Sequence, residues 1–265
     1  MSFVRIKDVL LHYRVDGSAA APVLALVNSL GTDARIWDDV ITLVSDRFRV
    51  ISYDKRGHGL SDAPAGDYTI NDHVDDLEGL LDHLAIDRLA LAGVSIGGVI
   101  GQAFALRHSQ RLNALVLCDT AARIGDTVMW NGRMAAVRSG GLGSIAGAVM
   151  ARWFTEAFRH GKPDDLAGWQ TMFERMPVEG YASSCAALRD VDLTEAVAGI
   201  TTPTLVVAGD QDLSTPVDLV RATAEKIPGA RFGIIADAGH IPSIEQPRAL
   251  VALMTEFFEE VGHGR

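Results

Sequence analysis

Two cysteines in 265 residues are too few for a disulfide framework. Cys118 lies in an apolar run and Cys185 in a small-residue stretch, where buried free thiols are expected. Basic residues are also scarce: 24 Lys and Arg against 34 Asp and Glu leave a net charge of −10. That balance argues against nucleic acid or an anionic membrane as a partner. An anionic substrate would need a local arginine to overcome it. No apolar run approaches the length that spans a bilayer. The opening MSFVRIKDVLLHYRVDG alternates and carries charge throughout, unlike a signal peptide. Internal repeats and low-complexity tracts are missing too. What is plentiful is apolar, 48% hydrophobic against 22% charged, which fits one well-filled α/β domain. The chain reads as a soluble, cytosolic protein.

The first half alternates strand and helix. FVRIKDV and LLHYRVDG form an amphipathic hairpin. PVLALVNS (22–29), FRVISYD (48–54), RLALAGV (88–94) and NALVLCD (113–119) suit strands covered on both faces, as in a parallel sheet. Helical spacing fills the gaps, with Leu77, Leu80, Leu81 and Leu84 sharing one face. From about Ala121 to Gly199 no strand is predicted; short helices replace the rhythm, with breaks at RSGGLGS and HGKPDD. Strands resume at TPTLVVAGD (202–210) and ARFGIIAD (230–237). The expectation is a core made of 1–120 and 200–265, with 121–199 as a helical cap over the C-terminal strand ends, where ligands of open α/β sheets bind.

Within LAGVSIGGVIGQ (91–102), Gly93-Val94-Ser95-Ile96-Gly97 fits G-x-S-x-G between a predicted strand and a predicted helix. A sharp strand-to-helix turn lifts such a serine clear of the sheet, and glycines two residues either side make room for it. Ser95 is the candidate nucleophile and needs a base. Among eight histidines, His240 in ADAGHIPSIEQP follows the last predicted strand, where a loop can reach Ser95; His12, His83, His108 and His263 read as solvated structural residues. VVAGDQDLSTP offers the acid. Asp212 is better placed to turn back over the sheet, and Asp210 to cap the turn. Asp119 is the fallback. The order Ser95, Asp212, His240 is that of α/β-hydrolases. Oxyanion donors are then expected at Ile96 N–H and, in the loop after PVLALVNS, at Leu30 N–H, where Asn28-Ser29 replaces the usual His-Gly. No metal cluster, P-loop or dinucleotide fingerprint competes, so no cofactor is expected. Asp54, Arg56 and His58 in YDKRGHG read as a structural hydrogen-bond network.

The chain resembles the 3-oxoadipate enol-lactonases of the α/β-hydrolase superfamily nearly end to end. ISYDKRGHGLSDAP, GVSIGG and DAGHIPSIEQP carry the broad likeness; GGVIGQAFALRHSQRLNALVLCDTAARIG and TVMWNGRMAAVRSGG carry the narrower one. The resemblance implies an α/β-hydrolase fold, a mostly parallel eight-stranded sheet with an inserted helical lid. It implies a serine hydrolase that opens a small anionic lactone through an acyl-enzyme, in aromatic-compound catabolism by the β-ketoadipate pathway. The substrate's acetate arm calls for a cation. Trp130 and Arg133, three apart on one predicted helix, are the expected site, with Arg138, Arg123 and Trp153 next. Rival readings are a carboxylesterase or cofactor-free perhydrolase of the same fold, and a ligand-binding receptor. A serine at 95 disfavours haloalkane dehalogenation, which needs an aspartate there. The oligomeric state stays open.

Overall fold

A computed structural model describes residues 2–263. Eight strands form one sheet: β1 (Ser2–Ile6), β2 (Val9–Asp16), β3 (Val23–Val27), β4 (Arg49–Tyr53), β5 (Leu89–Val94), β6 (Leu112–Cys118), β7 (Thr204–Gly209) and β8 (Arg231–Ile235). Their spatial order is β1-β2-β4-β3-β5-β6-β7-β8. The hairpin partners β1 and β2, and β2 with β4, run antiparallel; every later pairing is parallel. This is the mostly parallel, eight-stranded sheet that the resemblance implies. Strands β5 and β7 are buried along their whole length, because helices cover both faces and leave no position for an outward polar side chain.

Helices α1 (Asp38–Val44), α2 (Ile70–His83) and α3 (Ile96–His108) follow β3, β4 and β5. Helix α2 begins at a capping box, in which Thr69 Oγ1 accepts from Asp72 N–H at 3.2 Å and Asp72 Oδ2 accepts from Thr69 N–H at 2.8 Å. It buries Leu77, Leu80 and Leu81, and with them Asp76, which Arg56 holds with two hydrogen bonds. Helix α3 is buried from Ile96 to Ala105, which fits its place between the sheet and α2.

Between β6 and β7 the chain is helical: α4 (Thr127–Gly140), α5 (Gly143–Trp153), α6 (Glu156–Gly161), α7 (Pro163–Glu174) and α8 (Val178–Asp190). Two breaks differ from those expected. RSGGLGS was expected to interrupt the helices from Arg138, yet α4 runs to Gly140 before Gly141 takes a positive φ of 69°. The apolar spacing of IAGAVMARWFTEAF continues through Phe154-Thr155, yet the helix divides there. Thr155 caps α6 through Phe158 N–H and is itself held by Glu245 Oε1 at 2.7 Å. A carboxylate from 90 residues away makes that break, and no local spacing announces it. Helices α9 (Val217–Lys226), α10 (Pro242–Glu245) and α11 (Pro247–Glu260) complete the core. No helix among the described residues is long and apolar enough to cross a membrane.

The inserted helices seat on the core where backbone meets backbone. A Cβ on Gly180 in α8 would collide with the Gly57 carbonyl, and one on Gly57 with Gly180. Gly180→Ala is therefore expected to cost about 1–3 kcal/mol in urea unfolding. Gly147→Ala, in α5 with open space around the new methyl, should instead gain up to about 1 kcal/mol. Equal effects at the two positions would contradict this seating.

Candidate active site

The turn between β5 and α3 places Ser95 at φ 58°, ψ −119°, a backbone conformation that costs a non-glycine residue on the order of 1–3 kcal/mol. Its surroundings hold it there. Ser95 N–H donates to Cys118 O at 3.0 Å, and Thr120 Oγ1 donates to Ser95 O at 2.7 Å. A Cβ on Gly93 would strike the Gly97 backbone, and one on Gly97 would strike the Val27 carbonyl. The glycines thus let β3, β5 and α3 approach closely enough to form the turn.

Ser95 shares a cavity with His240, which lies in the loop after β8. His240 Nδ1 meets Asp212 Oδ2 at 2.8 Å, with both side chains buried. Asp212 also accepts from Thr215 Oγ1 at 2.6 Å, Ser214 N–H at 2.6 Å and Thr215 N–H at 3.2 Å. Burial pushes its carboxyl pKa up, but His240 and these hydrogen bonds outweigh burial and hold it below the ordinary value. An ionised Asp212 assigns the proton to His240 Nδ1 and leaves Nε2 with its lone pair. That is the tautomer a general base requires. The His240 backbone is anchored as well, its N–H donating to Trp153 O at 2.8 Å.

Asp119 lies fully buried at the end of β6, with φ 46°. Its Oδ1 accepts from Gly209 N–H at 2.7 Å, and its Oδ2 has no hydrogen-bond partner among the described residues. Burial first, and the charge of Asp212 second, push its carboxyl well above the ordinary range. His240 bonds Asp212 and not Asp119. Asp210 accepts from Ala238 N–H at 3.3 Å and takes no part in the cavity.

The loop after β3 brings Leu30 to the same cavity. Asn28 Nδ2 donates to Thr32 O, and Thr32 Oγ1 donates to Ser29 O at 2.9 Å. Gly31, at φ 75°, lies against the Phe173 ring and donates its N–H to His58 Nε2 at 2.9 Å. Burial, and then nearby Lys55, push the His58 pKa well down, which keeps this nitrogen an acceptor. Leu30 N–H and Ile96 N–H have no hydrogen-bond partner among the described residues. Both are free to receive an oxyanion.

The remaining wall comes from the inserted helices. Arg133 on α4 lies over the Trp130 ring at 5.4 Å and donates to Tyr181 OH at 3.4 Å. Trp130 is fixed by its Nε1 bond to Ile124 O at 2.7 Å. Arg152 and Trp153, at the end of α5, also line the cavity. Its volume is about 80 Å³, and no Asp or Glu lines it. Surface grooves of about 620 and 430 Å³ are larger, but neither contains Ser95 or His240. The small cavity is the one that holds both Ser95 and His240.

The structure brings together Ser95, His240, Leu30, Trp130, Arg133 and Trp153 at the cavity wall, with Asp212 behind His240 and Ile96 next to Ser95. Arg123 and Arg138 are elsewhere, paired with Asp192 and with Glu179 and Asp67. His12 and His263 are buried rather than solvated. His12 Nδ1 meets Asp54 Oδ2 at 2.8 Å, and His263 Nε2 lies 3.1 Å from Val23 O. Asp54 also accepts from Ala34 and Leu60 N–H, while Arg56 holds Asp76 with two bonds. Arg152, Tyr181 and Glu245 escaped the sequence reading. Thr215, three residues beyond Asp212 in DLST, could have been found from its spacing.

Two substitutions separate the acids. Asp212→Asn is expected to lower kcat by about 10⁴ because the wrong His240 tautomer is favoured. Asp119→Asn should leave kcat within a few-fold. Asp119 titrates near 3.8 when unfolded and well above that when folded. Wild-type stability is therefore lost as pH rises through the folded value. The Tm advantage of Asp119→Asn should grow from pH 4 upward. A pH-independent difference in Tm would contradict a raised Asp119 pKa.

Comparison with known proteins places the chain in a family. Residues 22–247 match the family model described as alpha/beta hydrolase fold. The chain is 38% identical over 243 residues to 3-oxoadipate enol-lactonase 2 of Acinetobacter baylyi, covering 92% of this chain and 91% of that one. Among solved structures, the enol-lactonase from Burkholderia xenovorans LB400 superposes with a TM-score of 0.95 at 40% identity, covering 97% of this chain and all of that one. A thermophilic esterase from Thermogutta terrifontis, solved with malate bound, gives 0.93 at 31% identity, with 99% and 100% covered. The chain belongs to the α/β-hydrolase family of enzymes, and within it is similar to the 3-oxoadipate enol-lactonases.

Proposed function

We propose that this hydrolase opens 3-oxoadipate enol-lactone to 3-oxoadipate, with Ser95, His240 and Asp212 as its catalytic triad. One observation carries the choice of an anionic substrate. In a chain with ten more acidic than basic residues, the cavity wall holds Arg133 and Arg152 and no carboxylate. The malate bound to the Thermogutta terrifontis esterase supports the same preference, and the two enol-lactonase relatives supply the lactone.

Ser95 Oγ attacks the lactone carbonyl while His240 Nε2 takes its proton and Asp212 stabilises the imidazolium. Leu30 and Ile96 N–H receive the developing oxyanion. The ring C–O bond breaks, and the enol oxygen leaves with the proton from His240. An enol leaves more readily than an alkoxide, then tautomerises to the ketone. Water activated by His240 cleaves the acyl-enzyme and restores Ser95. Trp130 and Arg133 hold the acetate arm, the guanidinium bonding the carboxylate bidentately. Such a product has its place in aromatic-compound catabolism by the β-ketoadipate pathway, in the cytoplasm. A carboxylesterase is the second reading, favoured by the likeness to the Thermogutta enzyme.

Ultraviolet loss of freshly generated enol-lactone should be fast with wild type and almost abolished by Ser95→Ala. A folded wild-type enzyme inert on the lactone but active on p-nitrophenyl acetate would leave the esterase reading standing alone. Arg133→Gln should raise KM for the lactone about 10–100-fold, the scale of one charged hydrogen bond, with p-nitrophenyl acetate unaffected. Arg152 is exposed and makes no hydrogen bond or ion pair among the described residues. Its substitution by Gln should weaken lactone turnover at low salt, and the deficit should fade at about 1 M salt as screening shortens the field.

A further inference from the structure

Lys55 is buried completely and ranks with the largest such side chains in the molecule. Lysine is almost never fully buried unless paired, and dehydrating its amine and freezing its long chain are costly. Its Nζ makes one hydrogen bond among the described residues, donating to Ser29 O at 2.5 Å. Burial pushes its pKa well down, against the pull of Asp54 and Asp33, and the nitrogen donates in either protonation state.

The acceptor is the informative part. Ser29 C=O and Leu30 N–H are the two ends of a single planar peptide unit. Fixing the carbonyl therefore fixes the direction of the N–H. Thr32 Oγ1 at 2.9 Å and Thr32 N–H at 3.3 Å converge on the same oxygen, so three donors meet on one carbonyl. Donors on a carbonyl oxygen draw electron density through the amide and make its N–H a stronger donor. The His58 bond to Gly31 N–H holds the next peptide, and Lys55 and His58 both come from the turn after β4. Support for the Asn28-Ser29 loop thus comes from the turn after β4.

We propose that Lys55 is a positioning residue of the oxyanion hole, orienting and polarising the Leu30 N–H through the Ser29 carbonyl. This rests on the reading of Ser95 as nucleophile and Leu30 as donor, and is independent of which ester or lactone is the natural substrate. A lysine kept only to brace the loop would act on stability. A lysine acting through the peptide unit acts on the transition state, at a cost to stability.

The test uses p-nitrophenyl acetate, with ethylboronic acid as a tetrahedral-adduct inhibitor. Lys55→Met fills similar volume without a donor. It is expected to lower kcat about 10–100-fold, part of what a whole oxyanion donor supplies, with KM within about threefold. The Ki of ethylboronic acid should rise by a similar factor, while Tm stays equal or increases as the dehydrated amine is removed. Lys55→Gln, which retains an N–H donor, should recover part of the kcat loss. Thr32→Val removes a second donor from the same carbonyl, should shift kcat and Ki in the same sense, and should combine with Lys55→Met non-additively. It remains informative if Lys55→Met does not fold. A folded Lys55→Met with wild-type kcat and Ki would overturn the proposal, as would a kcat loss with unchanged boronate affinity. A Ser95→Ala enzyme that still turned over the ester would instead overturn the nucleophile beneath it, a separately readable result.

Discussion

The turn that carries Ser95 depends on three pieces of backbone occupying space that side chains would otherwise fill. β5 must run into α3 with almost no connecting residues, and α3 must lie close enough to β3 for the Gly97 Cα to face the Val27 carbonyl. With glycine at 93 and 97 the serine can hold its positive φ; with a Cβ at either place the helix would move off the sheet. The other site elements are located relative to that contact. β3 ends against α3 and begins the Leu30 loop, β6 supplies the carbonyl that receives Ser95 N–H, and Thr120 just beyond it clamps the Ser95 carbonyl. Packing of main chain on main chain therefore sets the positions of Ser95 and the neighbouring N–H groups together.

Charge is distributed with equal economy. Most arginines on the outside are matched to carboxylates, as Arg138 is to Glu179 and Asp67, and such exposed pairs add little to stability. Inside, two neighbouring acids are pushed in opposite directions: His240 and its hydrogen-bond donors hold the Asp212 carboxyl below the ordinary value, while burial and then the charge of Asp212 raise that of Asp119. The carboxylate that meets the imidazole is the one held toward its charged form. Across the cavity, Arg133 is half-buried, stacked on an indole and within reach of a tyrosine hydroxyl. The side chains that would meet a ligand's anion are cationic although the protein is not.

Much of the core was legible because its signals are local. Continuous Val, Leu and Ile runs revealed strands covered on both faces, and G-x-S-x-G between a strand and a helix pointed to the turn. Asp212 and His240 could be named because strand ends in an α/β sheet gather at one edge, so position along the chain stands for position in space. The inserted helices were harder. Their existence followed from the loss of strand rhythm, but the division at Phe154-Thr155 depends on Glu245, and periodicity carries no information about a partner 90 residues away. Arg152 shows the same difficulty, since an arginine ending an amphipathic helix looks the same facing solvent or a cavity. Lys55 was hidden for the opposite reason. A charged residue in a loop is normally solvated, and only the folded loops show that this one is enclosed.

The link between His240 N–H and Trp153 O has a consequence for how such an enzyme could be re-engineered. The base is suspended between the sheet loop and the last turn of α5, while Glu245 ties Gly239 to Thr155 beside it. The inserted helices and the loop that carries His240 therefore share a single scaffold. Exchanging residues 121–199 for those of a relative would not be a neutral change of specificity module. A graft would have to bring a carbonyl at the Trp153 position and a hydroxyl at the Thr155 position. Without them the imidazole would lose its register with Ser95, however well the new helices fitted their ligand.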